Sequence, residues 1–562
     1  MKIERTLLLK SAIALAIALS VIAASQRAPF RLLELGVLDV FFRLRQPQPA
    51  YNPNIIIVEI NDENISKIGR WPWERKWHAA IVYALKELGA KHVFFDILFS
   101  EASNPDDDAL LAESIKRAGN VYLPFAFPED VIKFDNAIVP LKEFSDHARD
   151  MGSINVYPDI DGTIRRVPLF FNEGDKTYYH VSFEMAKACL GMEVEDIGPR
   201  RLVLAGRGKR LAVPILDNGQ FLLNWTGGWK NTFKHYSFLN VLGAYDDLKN
   251  GIKPDIDLND FRDSICLVGI TAVGLYDIKA VPLEPAYPAI GVFATCLSNI
   301  MDGQFIRTAP VWVRWFLIVF LALLPAVSAS GQKPLREVVT VLSYAPLFFT
   351  GSFLLFRLGI WVDCALPLVG FFATYSSVTL YNFIKTSVEK QRFFAMSITD
   401  ELTRLYNIRY FKAVLRNECR VHENQMRNRF CIIMIDVDDF KSVNDVFGHK
   451  VGDMVLQEVA DIIKSSSRSS DVVARYGGEE IVILLRGASL STGMAFAEKV
   501  RKSIEDRVIS GGDKTYSLTI SLGVANFQER DTEDSVVKRA DEGLYKAKNS
   551  GKNRVATVEN EE

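Results

Sequence analysis

Arg475-Tyr476-Gly477-Gly478-Glu479-Glu480-Ile481 is the stretch that decides the fold of the C-terminal part of this chain. Apolar runs flank it at residues 472–474 and 481–485. Two short β-prone runs joined by Gly-Gly predict a hairpin with a tight turn. Two adjacent carboxylates at such a turn are costly unless a positive charge lies beside them. A divalent metal on a phosphate substrate is the natural candidate, and a solvated hairpin tip is the alternative.

The surrounding sequence supplies partners for these carboxylates. Residues 430–437 (FCIIMIDV) form an apolar, β-branched run that ends in acids, with Asp438 and Asp439 directly after it. The run predicts a buried strand that delivers carboxylates at its C-terminal end, where open α/β sheets place ligands. Residues 451–463 have helical periodicity, and residues 544–554 are rich in lysine. Acids for a metal, lysines for phosphates and an Asn/Asp pair for a base edge together predict a nucleotide site.

Residues 395–557 resemble the GGDEF family of diguanylate cyclases. Two positions depart from the family pattern: Ile481 stands where Phe is usual, and Arg404 stands where Gly is usual. Neither residue touches the assumed chemistry. The resemblance implies an α/β cytoplasmic domain whose central sheet contains antiparallel strands. It rests on residues 400–407 (DELTRLYN), 436–441 (DVDDFK), the Asn444-Asp445 pair, the GGEE turn, 521–524 (SLGV) and 540–554.

The resemblance also implies a reaction, in which two GTP are joined into cyclic di-GMP and two pyrophosphates leave. Each domain of a homodimer holds one GTP. The cofactor is Mg²⁺, for which Mn²⁺ can substitute, on Asp436, the Val437 carbonyl, Glu479 and Glu480. Glu480 supports a second metal or helps to deprotonate the attacking hydroxyl, and which Glu is the base stays open.

Further roles are implied by the same resemblance. Lys441 stabilises developing charge, and Asn444 and Asp453 recognise the guanine edge. Arg468 and Asp471 form an Arg-Xaa-Xaa-Asp site for product inhibition, which Lys499 completes from the other subunit. His449 contacts the nucleotide or serves as a surface residue. The residues implied to bind substrate are Phe440, Asn444, His449, Asp453, Lys548 and Lys552.

Whole-chain composition excludes several classes of protein. The chain has 562 residues and a net charge of −2, so we expect more than one domain and no nucleic-acid partner. The six cysteines are scattered without a Cys-Xaa-Xaa-Cys pair. This pattern indicates neither a zinc site nor a disulfide framework.

Four apolar segments predict membrane crossings, at residues 6–25, 311–330, 338–356 and 358–384. Positive residues fit the positive-inside rule with both termini in the cytoplasm. They are Lys2 and Arg5 before the first segment, Lys333 and Arg336 in the loop between the second and third, and Lys385, Lys390 and Arg392 after the fourth. We therefore predict a multi-pass protein of the bacterial inner membrane. A cleaved signal peptide is the alternative for the first segment, and both alternatives export the region that comes after it.

Residues 26–308 would then lie outside the cytoplasm. Strand-like runs at 54–60 and 92–95 flank a predicted helix at 76–88, which predicts a right-handed βαβ unit in an α/β sensor. The region resembles the extracellular CHASE-type sensor domain of the second class. The resemblance rests on residues 39–43, Trp71-Pro72-Trp73, residues 95–99 and the Pro-Asp-Xaa-Asp-Gly turn at 158–162. Its ligand is unknown.

Two polar features of this sensor have competing interpretations. Asp62 and Asp96, at the ends of two predicted strands, either face one ligand cleft or show ordinary strand-end polarity. Asp159 and Asp161 either ligate calcium or form a plain turn. Ordinary polarity and a plain turn are the favoured interpretations.

The connector, residues 385–402, is predicted to be a signalling coiled coil ahead of the cyclase domain at 403–557. Val388, Gln391, Ala395, Ile398 and Leu402 recur at alternating spacings of three and four. A parallel pair of such helices would hold two cyclase domains together. A plain amphipathic linker is the alternative.

Two functions of different classes therefore compete. The favoured one is a membrane-bound diguanylate cyclase under sensor control, with product inhibition. The alternative is a catalytically silent cyclic di-GMP receptor that signals through Arg468 and Asp471. A nucleotide cyclase of the adenylate type has no support in the cytoplasmic motifs.

Overall fold

A computed structural model of the chain describes residues 2–128, 133–216, 218–275, 277–328, 334–424, 429–511, 514–529 and 531–558. The chain divides into two compact units, Met1–Leu380 and Tyr381–Glu562. Residues 329–333, which include the predicted loop residue Lys333, lie outside the described residues.

The first unit contains a large α/β domain and a set of apolar helices. Its helices are α1 (Lys2–Ala24), α2 (Ala28–Leu44), α3 (Asp62–Ile68), α4 (Arg75–Glu87), α5 (Pro105–Ala118), α6 (Lys142–Ser145), α7 (Val181–Leu190), α8 (Phe238–Lys249), α9 (Ala289–Met301), α10 (Val311–Ser328) and α11 (Pro334–Arg357). Its strands are β1 (Ile55–Ile60), β2 (His92–Asp96), β3 (Val121–Phe125), β4 (Asp150–Ser153), β5 (Arg166–Pro168), β6 (Phe170–Glu173), β7 (Lys176–Tyr179), β8 (Glu193–Ile197), β9 (Arg201–Gly206), β10 (Lys209–Pro214), β11 (Gln220–Leu222), β12 (Lys234–Ser237), β13 (Ile265–Ile270), β14 (Ile278–Lys279), β15 (Tyr287–Pro288), β16 (Arg307–Thr308) and β17 (Ile360–Trp361).

A six-stranded sheet forms the centre of this α/β domain. Its order is β12-β1-β13-β2-β3-β4, and every neighbouring pair is parallel. Alternate residues of β1 point to opposite faces, and both faces are buried. Ile55 and Ile57 pack in one apolar core, while Ile56 and Val58 pack in the other. Burial on both sides explains why these strands are continuous apolar runs rather than alternating ones.

The predicted βαβ unit is confirmed as β1, α4 and β2. The sequence did not show that β13, from far along the chain, lies between the two strands and pairs with both. Asp96 ends β2, whereas Asp62 begins α3 shortly after β1, so β13 lies between the two strands that precede these acids. Asp62 accepts a hydrogen bond from the backbone N–H of Val273 at 2.9 Å, which is a loop contact at the strand ends.

The turn at 158–162 is held by an arginine. The Arg165 guanidinium is fully buried, and it bonds Asp39 Oδ2 and Asp161 Oδ2, each at 2.6 Å. It also reaches Asp159 Oδ2 at 3.1 Å. Both turn carboxylates are paired with arginine side chains, Arg165 and, for Asp159, also Arg166, and these cations support the plain-turn interpretation. The network also connects the turn to Asp39 on α2.

Two helices among the described residues are long and apolar enough to cross a membrane, Thr6–Ala24 and Val311–Ser328. Four crossings stay a prediction. The described helices nevertheless pack together: Ala18 of α1, Ile318 of α10 and Leu366 share one apolar cluster. A second cluster joins Leu321 of α10 to Val341 of α11.

The fourth predicted segment begins later than the sequence suggested. Its helix, α12 (Ala365–Ile398), starts seven residues past residue 358 because Gly359 turns the chain at φ +80° and β17 pairs with β16. The helix continues without a break into the predicted connector and ends at Ile398. Leu402, the last position of the predicted seam, lies beyond the helix and packs against the core of the second unit. The side chain of Ala395 lies outside the described residues.

The second unit is a smaller α/β domain. Its helices after α12 are α13 (Ile408–Asn424), α14 (Phe440–Phe447), α15 (His449–Ser466), α16 (Leu490–Glu505) and α17 (Glu533–Asn549). Its strands are β18 (Tyr406–Asn407), β19 (Phe430–Val437), β20 (Val472–Gly477), β21 (Glu480–Arg486), β22 (Val508–Gly511), β23 (Lys514–Ser517), β24 (Ile520–Asn526) and β25 (Val555–Ala556).

The central sheet of this unit has the order β18-β20-β21-β19-β24-β25. The four inner strands are antiparallel, and the two short edge strands are parallel to their neighbours. The prediction of an α/β domain with antiparallel strands is confirmed. The predicted strand 430–437 is β19, and Ile481, the departure from Phe, is buried in the core at 1% exposure.

Candidate nucleotide and metal site

The glycine turn is a hairpin, as predicted, and an arginine holds it. β20 and β21 pair in antiparallel fashion, and Gly478 has φ +46°. Arg475 donates to the Gly478 carbonyl from Nε at 2.9 Å and from Nη2 at 2.7 Å. Its Nη1 also lies 3.2 Å from Asp400 Oδ1, in the opening motif of the domain. The turn is thereby fixed to a residue 75 positions earlier in the chain.

Carboxylates converge beside this turn. Asp436, the second-last residue of β19, lies directly opposite Glu480 in the β19–β21 register. Burial raises the pKa of Asp436, and the Lys548 ammonium, 2.8 Å from its Oδ2, opposes that shift. Burial also raises the pKa of Glu480, and the charges of Asp436 and Asp541 add to the effect. Acids that repel one another in this way are suited to a cation.

These carboxylates fit Mg²⁺ by their chemistry, because hard oxygen ligands suit this ion. Among the described residues, however, no three metal-ligating side chains form a preformed cage. Mg²⁺ usually takes one or two carboxylates and completes its shell with water and substrate phosphates. The donors Asp436, the Val437 carbonyl, Glu479 and Glu480 fit that pattern. Glu479 is half-buried and directly precedes the second strand of the hairpin.

Asp438 has a different task from its neighbour Asp436. It is buried, and it accepts hydrogen bonds from Ser521 Oγ at 2.6 Å and Thr519 Oγ1 at 2.8 Å. It also accepts one from the backbone N–H of Asn553 at 3.0 Å. With all these bonds made, Asp438 joins the end of β19 to β24 and to the C-terminal segment. Sequence reasoning placed it among the acids without separating this positioning role.

Lys548 reaches the site because α17 passes unusually close to β24. A Cβ at Gly523 would lie 2.0 Å from the Ala540 carbonyl oxygen and 2.1 Å from the Leu544 nitrogen. Only glycine permits this approach, which explains the SLGV motif. The second predicted phosphate ligand, Lys552, lies 2.5 Å from Asp439 Oδ1. Both lysines are thus placed at the acidic end of β19.

Asp438 and Asp439 lead from β19 into α14, which begins at Phe440, one of the residues implied to bind substrate. Phe440 is buried, and Lys441 is exposed and makes no ion pair with the residues that the structure describes. The first turn of a helix leaves N–H groups without intrahelical partners, and these can receive a phosphate. Lys441 adds a mobile ammonium at the same place.

The predicted base-binding residues lie on two successive helices. Asn444 is on α14, and its Oδ1 lies 2.0 Å from where a Cβ on Gly452 would be. Gly452 therefore lets α15 pass against Asn444, with Asp453 next in the chain and exposed. His449 begins α15 and is exposed as well. The structure brings Asn444 and the Asp453 turn together but gives His449 no contact that decides its role.

The predicted product site lies on a loop before β20. Asp471 Oδ2 accepts from the Arg468 backbone N–H at 2.8 Å, so the two residues close a turn. Arg486 supports this loop by donating to the Ser470 carbonyl at 2.8 Å. The Arg468 side chain is exposed. No hydrogen bond or ion pair within the described residues links Lys499, on α16, to Arg468 or Asp471.

A parallel-sheet domain, apolar helices and a hairpin domain with converging acids and lysines define a class: two-domain α/β proteins whose second domain carries a candidate nucleotide and metal site. The chain belongs to the CHASE2 domain family, which matches residues 13–327. Residues 397–554 match the GGDEF domain of diguanylate cyclases. These matches confirm the two resemblances that the sequence motifs suggested.

Curated relatives match the second of these regions. Diguanylate cyclase A of Treponema denticola is 40% identical over 177 residues, which cover 31% of this chain and 48% of the relative. The response regulator PleD of Caulobacter vibrioides is 35% identical over 186 residues, covering 31% and 41%. Diguanylate cyclase DosC of Escherichia coli is 36% identical over 157 residues, covering 28% and 34%. The chain thus spans at most about half the length of these relatives.

A solved structure of the coiled coil and GGDEF domain of DgcB from Caulobacter crescentus, in complex with c-di-GMP, is 29% identical to this chain. The match covers 32% of this chain and 95% of that one, with a TM-score of 0.30.

Sequence reasoning missed the role of Arg475. The residue belongs to the stretch Arg475–Ile481, but its link to Asp400 depends on the pairing of β18 with β20. One signal was available: a conformationally free Gly-Gly turn that carries two acids needs a fixed cation or donor beside it. An arginine three residues ahead of Gly478 could supply one.

Proposed function

We propose that this protein is a membrane-bound diguanylate cyclase whose cytoplasmic domain makes cyclic di-GMP from two GTP under the control of an extracytoplasmic sensor. The observation that carries the proposal is the ion pair between Lys548 Nζ and Asp436 Oδ2 at 2.8 Å, beside Glu480. A cation suited to phosphate and an anion suited to a metal thus lie at one strand end, which supports the proposal. The relatives that are named diguanylate cyclases also support it.

The reaction joins two nucleotides held by two copies of the domain. The 3′-hydroxyl of each GTP attacks the α-phosphorus of the other, and the bond to pyrophosphate breaks as the new ester bond forms. Lys548, Lys552 and Lys441 hold the phosphates and balance the charge of the leaving pyrophosphate. Asn444 and Asp453 orient the base, with Asp453 accepting from guanine N–H donors. Positioning rather than covalent catalysis supplies most of the acceleration.

The proton of the attacking hydroxyl needs an acceptor. Glu480 fits this role, because burial and its acidic neighbours raise its pKa above the ordinary carboxyl value. When bound, Mg²⁺ supplies charge neutralisation between the phosphates and the carboxylates. Asp436, the Val437 carbonyl and Glu479 would hold it. Mn²⁺, with similar ligand preferences, would serve as a substitute.

Several features support a multi-pass membrane location. The helices α1, α10 and α11 bury one face against each other, yet they expose large apolar side chains on the other. Leu8, Val327 and Leu347 have exposed fractions of 65–72%. Large apolar side chains exposed in this way are unfavourable in water and favourable in lipid. In this proposal the sensor lies outside the cytoplasm and binds an unidentified ligand, and the protein acts as a homodimer.

Product inhibition is part of the proposal. Cyclic di-GMP bound at Arg468 and Asp471, with Lys499 of a second domain, would hold two domains where their GTP sites cannot meet. The exposed Arg468 guanidinium is available for the forked hydrogen bonds that guanine and phosphate accept.

The decisive experiment incubates the purified unit Tyr381–Glu562 with GTP and Mg²⁺, and separately with Mn²⁺, and measures cyclic di-GMP and pyrophosphate. We expect one cyclic di-GMP for two pyrophosphates. Glu479→Gln should lower the rate at least about 100-fold while the domain stays folded. Glu542→Gln, an exposed glutamate on α17, is the matched control and should keep its rate. A domain that binds cyclic di-GMP but makes none would instead establish the silent receptor.

A further inference from the structure

A cavity of about 560 Å³ lies within the first unit, where the sensor meets the ends of the apolar helices. Ser25 follows the end of α1, Val311 begins α10 and Leu366 lies in the first turn of α12, and all three line the cavity. We call this space the junction cavity. Its charged lining residues are Arg31, Glu34, Arg166, Arg200, Arg314 and Asp363.

The charge of the junction cavity favours an anion. Four arginines face two carboxylates. Arg314 is paired with Asp363, and Arg166 Nη1 donates to Asp159 Oδ1 at 2.8 Å. The Nε of Arg166 is buried and has no acceptor among the described residues. Guanidinium groups bind phosphate oxygens through paired, charge-assisted hydrogen bonds, so the lining is suited to a phosphate group.

The cavity wall includes the group that holds the start of α12. The Glu34 carboxylate accepts hydrogen bonds from the backbone N–H groups of Cys364, Ala365 and Leu366 at 2.5, 3.1 and 3.3 Å. Burial, followed by repulsion from Asp363, raises the pKa of Glu34 to about 7. A new anion beside these two carboxylates adds repulsion and competes for Arg314. The balance of charge at the start of α12 therefore depends on what the cavity holds.

The uncharged lining mixes polar and apolar residues and lies at the expected membrane surface. Phe30, Leu35 and Leu38 of α2 face the cavity together with Trp361. The volume falls in the range of small-ligand sites and is adequate for a headgroup. Helix α12, whose start Glu34 holds, runs unbroken to Ile398.

We propose that the junction cavity binds a phosphate-bearing anion, either the headgroup of an anionic phospholipid or free phosphate, and that its occupancy changes how Glu34 holds the start of α12. This inference deepens the sensor part of the proposed function and rests on the membrane topology given there. Its first test measures ligand binding and not GTP turnover, so a failed cyclase assay would neither support nor contradict it.

The test measures thermal stabilisation of the detergent-solubilised full chain during titration with three probes: short-chain phosphatidylglycerol, short-chain phosphatidylcholine and inorganic phosphate. The double variant Arg31→Gln/Arg200→Gln removes two cavity cations. Arg70→Gln, an exposed arginine outside the cavity, is the matched control. Arg31→Lys/Arg200→Lys keeps the charge. If the unliganded double variant does not melt cooperatively, the single Arg31→Gln variant replaces it, since Arg31 is exposed.

We expect saturable stabilisation of the wild type and of Arg70→Gln by phosphatidylglycerol, by inorganic phosphate or by both, but not by phosphatidylcholine. The apparent affinity should fall roughly ten-fold or more in the glutamine variant and much less in the lysine variant. Stabilisation by phosphatidylglycerol alone assigns the lipid, and stabilisation by inorganic phosphate assigns the free anion. An equal response to phosphatidylcholine, or equal affinities in the glutamine variant and its control, would overturn the site.

The coupling to α12 has its own readout. Hydrogen exchange of the backbone amides of residues 364–366 should change when the probe binds to the wild type, and should change far less in the glutamine variant. Binding with unchanged exchange at these amides would overturn the effect on α12.

Discussion

Lys548 Nζ lies 2.8 Å from Asp436 Oδ2, so a lysine of α17 and an acid at the end of β19 neutralise each other at the centre of the candidate site. Glu480 lies opposite Asp436 in the strand register. The charge of Lys548 lowers the pKa of Glu480 less than burial raises it. The site therefore carries more acid than its own cations balance. This excess is suited to a metal and makes the metal-free domain less stable than it would otherwise be.

The excess acid predicts a stabilising substitution. Because the folded-state pKa of Glu480 is raised above its ordinary 4.5, the folded domain holds this proton more tightly than the unfolded chain does. Its stabilising effect is full below pH 4.5 and is lost as pH rises through the raised value. Glu480→Gln should therefore raise the melting temperature of the metal-free domain at neutral pH by about 1–4 °C. It should also flatten the pH dependence of melting relative to wild type.

The measurement is thermal unfolding of the unit Tyr381–Glu562 across pH in a chelator, with Glu542→Gln as the exposed control. Adding Mg²⁺ with a non-hydrolysable GTP analogue should stabilise both proteins, because Asp436, the Val437 carbonyl and Glu479 remain in Glu480→Gln. If Glu480→Gln melts below the control at neutral pH in the chelator, the carboxylate is not held under repulsion and the charge assignment fails.

The contacts of Arg475 predict a second effect, a loss of turnover that is larger than the loss of stability explains. Arg475→Ala removes both donors to the Gly478 carbonyl and the link to Asp400, which frees the turn that carries Glu479. We expect turnover of GTP to fall about 10- to 100-fold, because moving a metal-binding side chain by about 1 Å has effects of that size. Arg486→Ala is the matched control. Like Arg475, Arg486 binds a backbone carbonyl and a carboxylate, here that of Glu418, but it lies at the far end of the same hairpin.

The two variants should lose comparable stability, because each removes a half-exposed arginine with similar contacts. Only Arg475→Ala should lose most of its activity. Equal losses of activity in both would mean that Arg475 acts through overall stability and has no particular role at the turn.

The elements that the sequence predicted well are those decided by local pattern. The run 430–437 matches β19 in both bounds because continuous apolar residues end abruptly in acids. The Gly-Gly hairpin and helix α15 are likewise local features. Pairings between distant segments could not be predicted in this way. The insertion of β13 between β1 and β2 depends on packing against two cores at once, which no local pattern records.

The candidate site shows the same division. The family resemblance put Asp436, Lys548 and Glu480 in one site, where the structure pairs Lys548 with Asp436 and sets Glu480 opposite it. It did not separate Asp438, whose oxygens are all taken by internal hydrogen bonds. It also left open the consequence of Arg404. That residue has φ +55°, a left-handed conformation that favours glycine, which explains why Gly is usual there. The chain keeps the backbone shape of the loop despite the side chain.

The proposed membrane topology predicts a third outcome. A reporter enzyme that works only outside the cytoplasm should be active when fused after Asn120, within the sensor, and silent when fused after Ile384, in α12. A reporter that works only in the cytoplasm should give the reverse pattern at the same two sites, which controls for expression. Activity of the first reporter after Ile384 would reverse the proposed arrangement of sensor and output.

The last prediction concerns feedback by the product. Cyclic di-GMP can inhibit only if it binds the non-productive arrangement of two domains more tightly than the productive one, because equal affinity shifts nothing. Arg468→Ala removes the forked donor from the loop, while Asp436, Glu479 and Lys441 remain. The loss of a charge-assisted contact should cost about 1.5–3 kcal/mol of product affinity, which is roughly ten-fold or more. Initial rates without product should change little.

Initial velocity against added cyclic di-GMP should therefore separate three proteins. Wild type and Arg409→Ala, an exposed arginine on α13, should show the same inhibition curve. The curve of Arg468→Ala should move to roughly ten-fold higher product concentration or more. Lys499→Arg puts a forked donor on α16, which should strengthen inhibition relative to wild type. If the curves of Arg468→Ala and wild type superimpose, the loop has no regulatory role, and Arg468 is a solvated residue before β20.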